Sequence, residues 1–241
     1  MSALLFARPA SIRESALYVL AALLSVVVVG SHWFGQLPVP LDTTELLAFV
    51  TGAWTVWLAA RNNPWNWPIG VANAALFVVL FWGARLYFDM SLNVFYVLSG
   101  LWGWWAWLYG GSGRTEKPIG SVGVMEAAVV VCAGAVLTAL MWHGGILLSG
   151  AAPALDAITT GLSVVAQWLL MRRLIQNWYV WMLADLIYIP MYLSRGLPLT
   201  AVLYGIFLLM CLRGLVEWRR IASRQAVAMP VGHPAVQEVR A

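Results

Sequence analysis

Five residues along one apolar stretch concentrate the chemistry of this chain: Asn177, Trp178, Trp181, Asp185 and Tyr188. At about 100° per residue in a helix, Trp178, Trp181, Asp185 and Tyr188 fall within an arc of roughly 80°. Two indoles one turn apart form a flat, polarisable wall. Such a wall suits an aromatic or cationic ring, through stacking and cation–π attraction of roughly 0.5–2 kcal/mol each. A carboxyl one turn further on accepts hydrogen bonds from a hydroxyl or amide, or pairs with a cation. Placed near the middle of a lipid-spanning helix it is costly unless protonated, paired or facing water, so a functional role is its default reading. Each residue also has a structural alternative. Trp178 fits an interfacial aromatic belt, and Asp185 fits a buried structural hydrogen bond.

Other polar residues share faces that converge with this one. The run 66–83 carries Asn66, Trp67 and Asn73, with Gly70 either leaving room for a ligand or permitting close helix packing. The run 91–109 places Asn93, Tyr96, Ser99, Gly100, Gly103 and Trp107 within about 120° of arc. A polar and small stripe on an apolar helix faces protein or a cavity rather than lipid. Asn93 and Tyr96 are its ligand candidates. The run 156–171 adds Thr160, Ser163 and Gln167, and the run 199–218 adds Thr200 and Tyr204. The candidate binding set is therefore Trp67, Asn73, Asn93, Tyr96, Gln167, Trp178, Trp181, Asp185, Tyr188 and Tyr204.

The elements that must position these residues follow from composition. Of 241 residues, 62% are apolar and 10% are charged. So few charges cannot cover the exterior of a soluble fold of this size. A soluble enzyme, a disordered chain and a nucleic-acid binder are excluded, and an all-α integral membrane protein is expected. Eight apolar runs approach the length of a membrane helix: 16–34, 44–60, 66–83, 91–109, 121–142, 156–171, 177–194 and 199–218. The first reads as a retained helix rather than a signal peptide, because Gly30-Ser31-His32-Trp33 is no cleavage site. The tail from Ile221 is polar, and disorder is expected beyond about Ser223. Cys132 and Cys211 lie inside apolar runs and read as buried free thiols.

An internal repeat organises the runs. An offset of 111 pairs Trp57 with Trp168, Arg61 with Arg172, Asn66 with Asn177, Trp67 with Trp178, Gly103 with Gly214 and Trp107 with Trp218, without a gap. Runs two to four thus recur as runs six to eight, and run five between them makes the copies parallel. The expected fold is one extra N-terminal helix plus a 3+1+3 parallel-repeat, SWEET-like bundle, with a site near the midplane between the copies. The expected divisions are 1–43, 44–110, 111–154, 155–220 and 221–241. With the N-terminus inside, 12 of the 14 basic residues lie on the cytoplasmic side, leaving only Arg85 and Arg195 outside.

Absent motifs narrow the chemistry. There is no phosphate-binding glycine loop, no zinc-protease helix and no nucleophile elbow. The sole lysine, Lys117, falls in a loop, so a retinal Schiff base within the bundle is excluded. His32 and His143 coincide under the repeat but gather no other metal-type residues. No enzyme activity, cofactor or metal is expected. A membrane scaffold or sensor that binds without transport is the reading from another class.

Several motifs together resemble the PnuC-type vitamin transporters. They are Trp67-Pro68-x-Gly70, Arg85-Leu86-Tyr87-x-Asp89, Phe95-Tyr96, Gly103-Trp104-x-x-Trp107, Trp178-x-x-Trp181 with Asp185 and Tyr188, Gly196-Leu197-x-Leu199-Thr200, and Gly214 to Trp218. The resemblance covers about residues 45–220. Asn93 departs from the family, which more often has Gln there, and the first helix is extra to the family's seven-helix core. The resemblance implies facilitated uptake of a vitamin across a bacterial inner membrane, commonly nicotinamide riboside, with relatives carrying thiamine or riboflavin. It also implies a homotrimer, trapping of the cargo by a cytosolic kinase in NAD biosynthesis, and roles for Trp178, Trp181 and Asp185 in the site.

Overall fold

The computed structural model describes residues 43–83, 87–147, 153–194 and 198–228, with Ser25 and Gly196. Among them are seven α-helices: α1 (Thr43–Ala60), α2 (Asn66–Gly83), α3 (Tyr87–Tyr109), α4 (Val124–Leu147), α5 (Pro153–Met171), α6 (Asn177–Ser194) and α7 (Pro198–Ala228). No strand is found among the described residues, only one parallel bridge between Gly120 and Leu174. Proline opens α5 and α7, where its missing N–H has no helical acceptor to lose. Gly196 takes the left-handed turn (φ 72°) between α6 and α7.

Four of these helices are long and apolar enough to cross a membrane: α2, α4, α5 and α7. The others carry Thr, Asn, Tyr and Trp, or the acid Asp185, that lower their hydropathy. Seven of the eight expected spans correspond to described helices, and the run 16–34 lies outside the described residues except for Ser25. Ser25 is helical and its hydroxyl accepts the Trp54 indole N–H at 3.0 Å.

Six helices close a ring. α1 packs on α2, α2 on α3, α3 on α5, α5 on α6, α6 on α7, and α7 back on α1. α4 stands outside the ring against α5. Small residues let α4 and α5 approach, since a methyl added at Gly134 would meet Val165 at 2.6 Å and one at Gly161 would collide with Thr138. The rest of α4 presents Val129, Val131, Val136 and Leu140 outward, as a lipid-facing helix does.

The turns joining α1 to α2 and α5 to α6 share one hydrogen-bond pattern at the offset of 111. Arg61 N–H donates to Trp57 O at 3.0 Å, and Arg172 N–H to Trp168 O at 3.0 Å. Asn63 N–H donates to Leu58 O, and Leu174 N–H to Leu169 O, both at 2.9 Å. Asn62 (φ 55°) and Arg173 (φ 60°) occupy the same left-handed position. Two indoles then cross between the halves. Trp107 Nε1–H donates to Leu170 O and Trp218 Nε1–H to Ala59 O, both at 3.0 Å. These bonds satisfy indole donors that burial would otherwise strand.

A core of indoles fills this end of the ring. Trp67, Trp107, Trp218 and Trp178 meet edge-to-face in succession, with centroids 5.3, 5.5 and 5.4 Å apart. The segment 115–123 straps across the same end. Lys117 N–H donates to Trp107 O, Gly120 N–H to Arg173 O, and Ile175 N–H back to Gly120 O. Gln225 of α7 accepts from Ile119 N–H at 3.1 Å, and Gln176 from Val122 N–H at 3.0 Å. Ile119 is buried against the indoles.

Two expectations need correction. Helix α7 continues past Ser223 to Ala228, where disorder was expected, and residues 229–241 lie outside the described residues. Ile221 and Ala222 pack on the indole core, and Gln225 is tied to the strap, so these residues gain contacts that repay their ordering. Cys132 is exposed rather than buried, because α4 has protein on one side only. Cys211 is buried as expected.

Candidate functional site

The ring of six helices encloses a cavity of about 520 Å³, within the range of roughly 300–1,000 Å³ common for small-molecule sites. All ten candidate residues line it: Trp67 and Asn73 from α2, Asn93 and Tyr96 from α3, Gln167 from α5, Trp178, Trp181, Asp185 and Tyr188 from α6, and Tyr204 from α7. The helical periodicity that put them on common faces is what brings them together. Of Thr200 only its place in α7 is described.

The two tryptophans of α6 are not equivalent. Trp178 is 1% exposed and stands edge-on to Trp218. Its ring also lies over Gly214, where a methyl would come within 2.6 Å of it. Trp67 sits identically over Gly103 and against Trp107. Both are pinned as the cavity's end wall, which removes the interfacial-belt alternative for Trp178. Trp181 is only partly buried, leaving ring surface to the cavity.

Asp185 is 4% exposed. Cys211 of α7 points its thiol at Asp185 Oδ2, at a distance of 3.6 Å. A thiol is a weak donor, so the carboxyl keeps acceptor capacity for something in the cavity. Among the described residues, no basic side chain lines the cavity. At the repeat-related position is Ala74, so among the described residues the cavity carries its acid on one side.

Polar groups ring the rest. Asn73 Nδ2–H donates to Thr51 Oγ1 at 2.5 Å, and Gln167 Nε2–H to Ser99 Oγ at 3.2 Å. Ser163 reaches the hydroxyls of both Tyr96 and Tyr188. Tyr188, Tyr192 and Tyr204 stack on one another with centroids 4.5–5.8 Å apart. Gly70 serves both alternatives, because it lines the cavity and a methyl there would stand 3.1 Å from Thr55. Gly100 lines the cavity while accommodating Val71, and Gly103 is a packing position.

Sequence reasoning passed over Thr55, Tyr192 and Cys211 as site residues. Tyr192 follows Tyr188 by one helical turn, a spacing that marks it as sharing that face. Cys211 carried no signal, because only the α6–α7 packing sets it beside Asp185. In sequence Arg173 reads only as an orientation charge. It is buried, and its guanidinium bonds Asn62 Oδ1, Lys117 O and Glu116 while lying over the Trp107 ring at 4.8 Å. Burial lowers its pKa from the ordinary arginine value, and Glu116 opposes that shift. Lys117 is likewise lowered, first by burial and then by Arg172.

A sequence profile of the nicotinamide mononucleotide transporter family matches residues 42–220. The chain belongs to that family. The riboflavin/roseoflavin transporter RibM of Streptomyces davaonensis is 24% identical over 199 residues, 80% of this chain and 92% of that protein. The nicotinamide riboside transporter PnuC of Escherichia coli is 23% identical over 207 residues, 74% of this chain and 85% of that protein. A crystal structure of the vitamin B3 transporter PnuC superimposes with a TM-score of 0.63 at 24% identity, covering 85% of this chain and 92% of that one. The chain is thus a multi-pass membrane protein of a vitamin-transporter family whose members are transporters rather than enzymes.

Proposed function

We propose that this protein carries a flat vitamin across the bacterial inner membrane by facilitated diffusion, with nicotinamide riboside as the cargo. The observation that carries this reading is the cavity's chemistry: an indole face on Trp181, stacked phenols, and Asp185 with no basic side chain among the described lining residues. A pyridinium ring is a flat cation. Trp181 attracts it through its π face, and Asp185 through charge. Asn73, Asn93, Tyr96, Gln167 and Tyr204 supply hydrogen bonds to ribose hydroxyls. A phosphate would bring about two negative charges towards the Asp185 carboxyl, which disfavours the mononucleotide.

Riboflavin is the second reading, supported by the RibM relative and by the tyrosine stack as a broad aromatic wall. Thiamine, another cationic aromatic, is the third. In this reading the halves 44–110 and 155–220 are parallel copies joined by the linker 111–154, and residues 1–43 precede them. The matched turns and crossed indole bonds support that arrangement. The copies rock about the cavity to expose it alternately. The basic end faces the cytoplasm with both termini, a cytosolic kinase traps the cargo for NAD biosynthesis, and three copies assemble.

Uptake of labelled nicotinamide riboside, thiamine and riboflavin into liposomes tests the proposal. Saturable uptake of the first that Trp181→Ala abolishes is expected. Equal counts in empty liposomes, wild type and Trp181→Ala would end it.

A further inference from the structure

Asn66 opens α2 and its side chain is 1% exposed. It lines the cavity, yet among the described residues neither its Nδ2 nor its Oδ1 has a hydrogen-bond partner. Leaving such groups desolvated and unmatched is unfavourable. The offset partner differs on its donor side. Asn177 occupies the same position in the second turn, with the same backbone bond from its N–H, 3.1 Å in both turns. Its side-chain Nδ2–H is tied down on Leu174 O at 2.7 Å, its Oδ1 is without a partner among the described residues, and it does not line the cavity. The backbone equivalent of that acceptor in the first turn, Asn63 O, receives the Asn66 N–H but not the Asn66 side chain. One frame therefore holds a structural amide in one half and an unengaged amide, turned to the cavity, in the other.

We propose that Asn66 reads the cargo: its side-chain amide pairs with a planar edge that presents an acceptor beside a donor. A primary carboxamide has such an edge, and so does a cyclic imide. The planar amide offers Oδ1 to the donor and Nδ2–H to the acceptor, so two hydrogen bonds form side by side. Asn66 then fixes which way the ring lies on Trp181, and it selects against rings of equal size without that edge. A site built to bond a polar group rejects the analogue lacking it far more strongly than an apolar pocket rejects a missing methylene.

This inference rests on the vitamin-carrier reading. Its test uses pairs of ligands matched in charge. Nicotinamide riboside is compared with N-ribosylpyridinium, which lacks the carboxamide, and riboflavin with 3-methylriboflavin, whose imide edge is blocked. Equilibrium binding to purified full-length protein is measured for wild type, Asn66→Leu and Asn66→Asp. Wild type should prefer the intact edge by about tenfold or more. Asn66→Leu should bring that preference close to one. Asn66→Asp, which keeps the side-chain shape but loses the donor, should reduce it strongly. The ratio is internal to each variant, so a loss of folded protein does not imitate the result, and Asn66→Asp serves if Asn66→Leu does not fold. A preference that survives both substitutions overturns the role of Asn66 and leaves the amide to solvent, with the carrier reading intact. Weakening of both members of a pair by the same factor also overturns it, as a structural effect. Wild type that binds none of the four ligands removes the carrier reading and this inference together.

Discussion

Gly103 and Gly214 offer a prediction that the geometry sizes in advance. Each lies under an indole that forms the end wall of the cavity. A methyl built on Gly103 would stand 2.6, 2.8 and 2.8 Å from three ring atoms of Trp67. On Gly214 the distances to Trp178 are 2.6, 2.7 and 2.7 Å. Carbon atoms rest at about 3.5–4.0 Å, so each ring must retreat by about 1 Å. Its freedom to do so is limited, because Trp107 and Trp218 pack edge-to-face against the two rings, with centroids 5.3 and 5.4 Å away. Overpacking of this kind costs about 1–3 kcal/mol. Gly103→Ala and Gly214→Ala should each lower thermal stability by similar amounts, with roughly 2–4 °C per kcal/mol for a chain of this size. Gly205→Ala is the control. Nothing lies within 4 Å of its added methyl, and removing a helical glycine should leave stability unchanged or raise it by about 0.5–1 kcal/mol. Thermal unfolding of the three variants in detergent, followed by tryptophan fluorescence at one heating rate, checks this. If Gly103→Ala and Gly214→Ala melt with the wild type, the indoles are not pinned and the end wall is not rigid.

Further outcomes follow from other contacts. Asp185→Asn should weaken a cationic vitamin by about tenfold or more while affecting neutral riboflavin much less. Isothermal titration of both ligands would show this, and equal losses would make the carboxyl structural. Arg173→Ala strands the acceptors Asn62 Oδ1 and Lys117 O beneath the strap and should cost about 3 kcal/mol; Arg173→Lys should recover only part, because an ammonium cannot fork between them. Denaturation midpoints of the two variants compare these values. Gln225→Ala removes the bond to Ile119 N–H and should destabilise by about 1 kcal/mol. Faster amide exchange across 117–123 would report that loss, and unchanged exchange would show that α7 does not hold the strap.

Much of the molecule is legible in its sequence. Local energetics act over short stretches, and they are written in residue order. Apolar run length placed the helices, with the bounds of 66–83 and 177–194 recovered as they stand. Helical period put all ten candidate residues on faces that meet at one cavity. The offset of 111 foretold turns whose hydrogen bonds agree in pattern and length. Where the apolar pattern stopped, so did the reading. The last turns of α7 are polar in sequence, yet contacts from the strap and indole core hold them helical.

Other distinctions arose only when the chain closed on itself. Trp67 and Trp178 look like ligand stackers in sequence, and neighbouring indoles turn them into a fixed wall. Trp181, of the same residue type, keeps surface towards the cavity. Arg173 counts as one more basic residue until Asn62, Glu116 and Lys117 surround it from distant positions. Asn66 and Asn177 share a residue type, a turn and a backbone bond, and only one of them has its side chain engaged. Sequence settles which groups are available and which side of a helix bears them. Their partners are settled by packing between elements far apart in the chain, where burial makes each match or mismatch worth kilocalories.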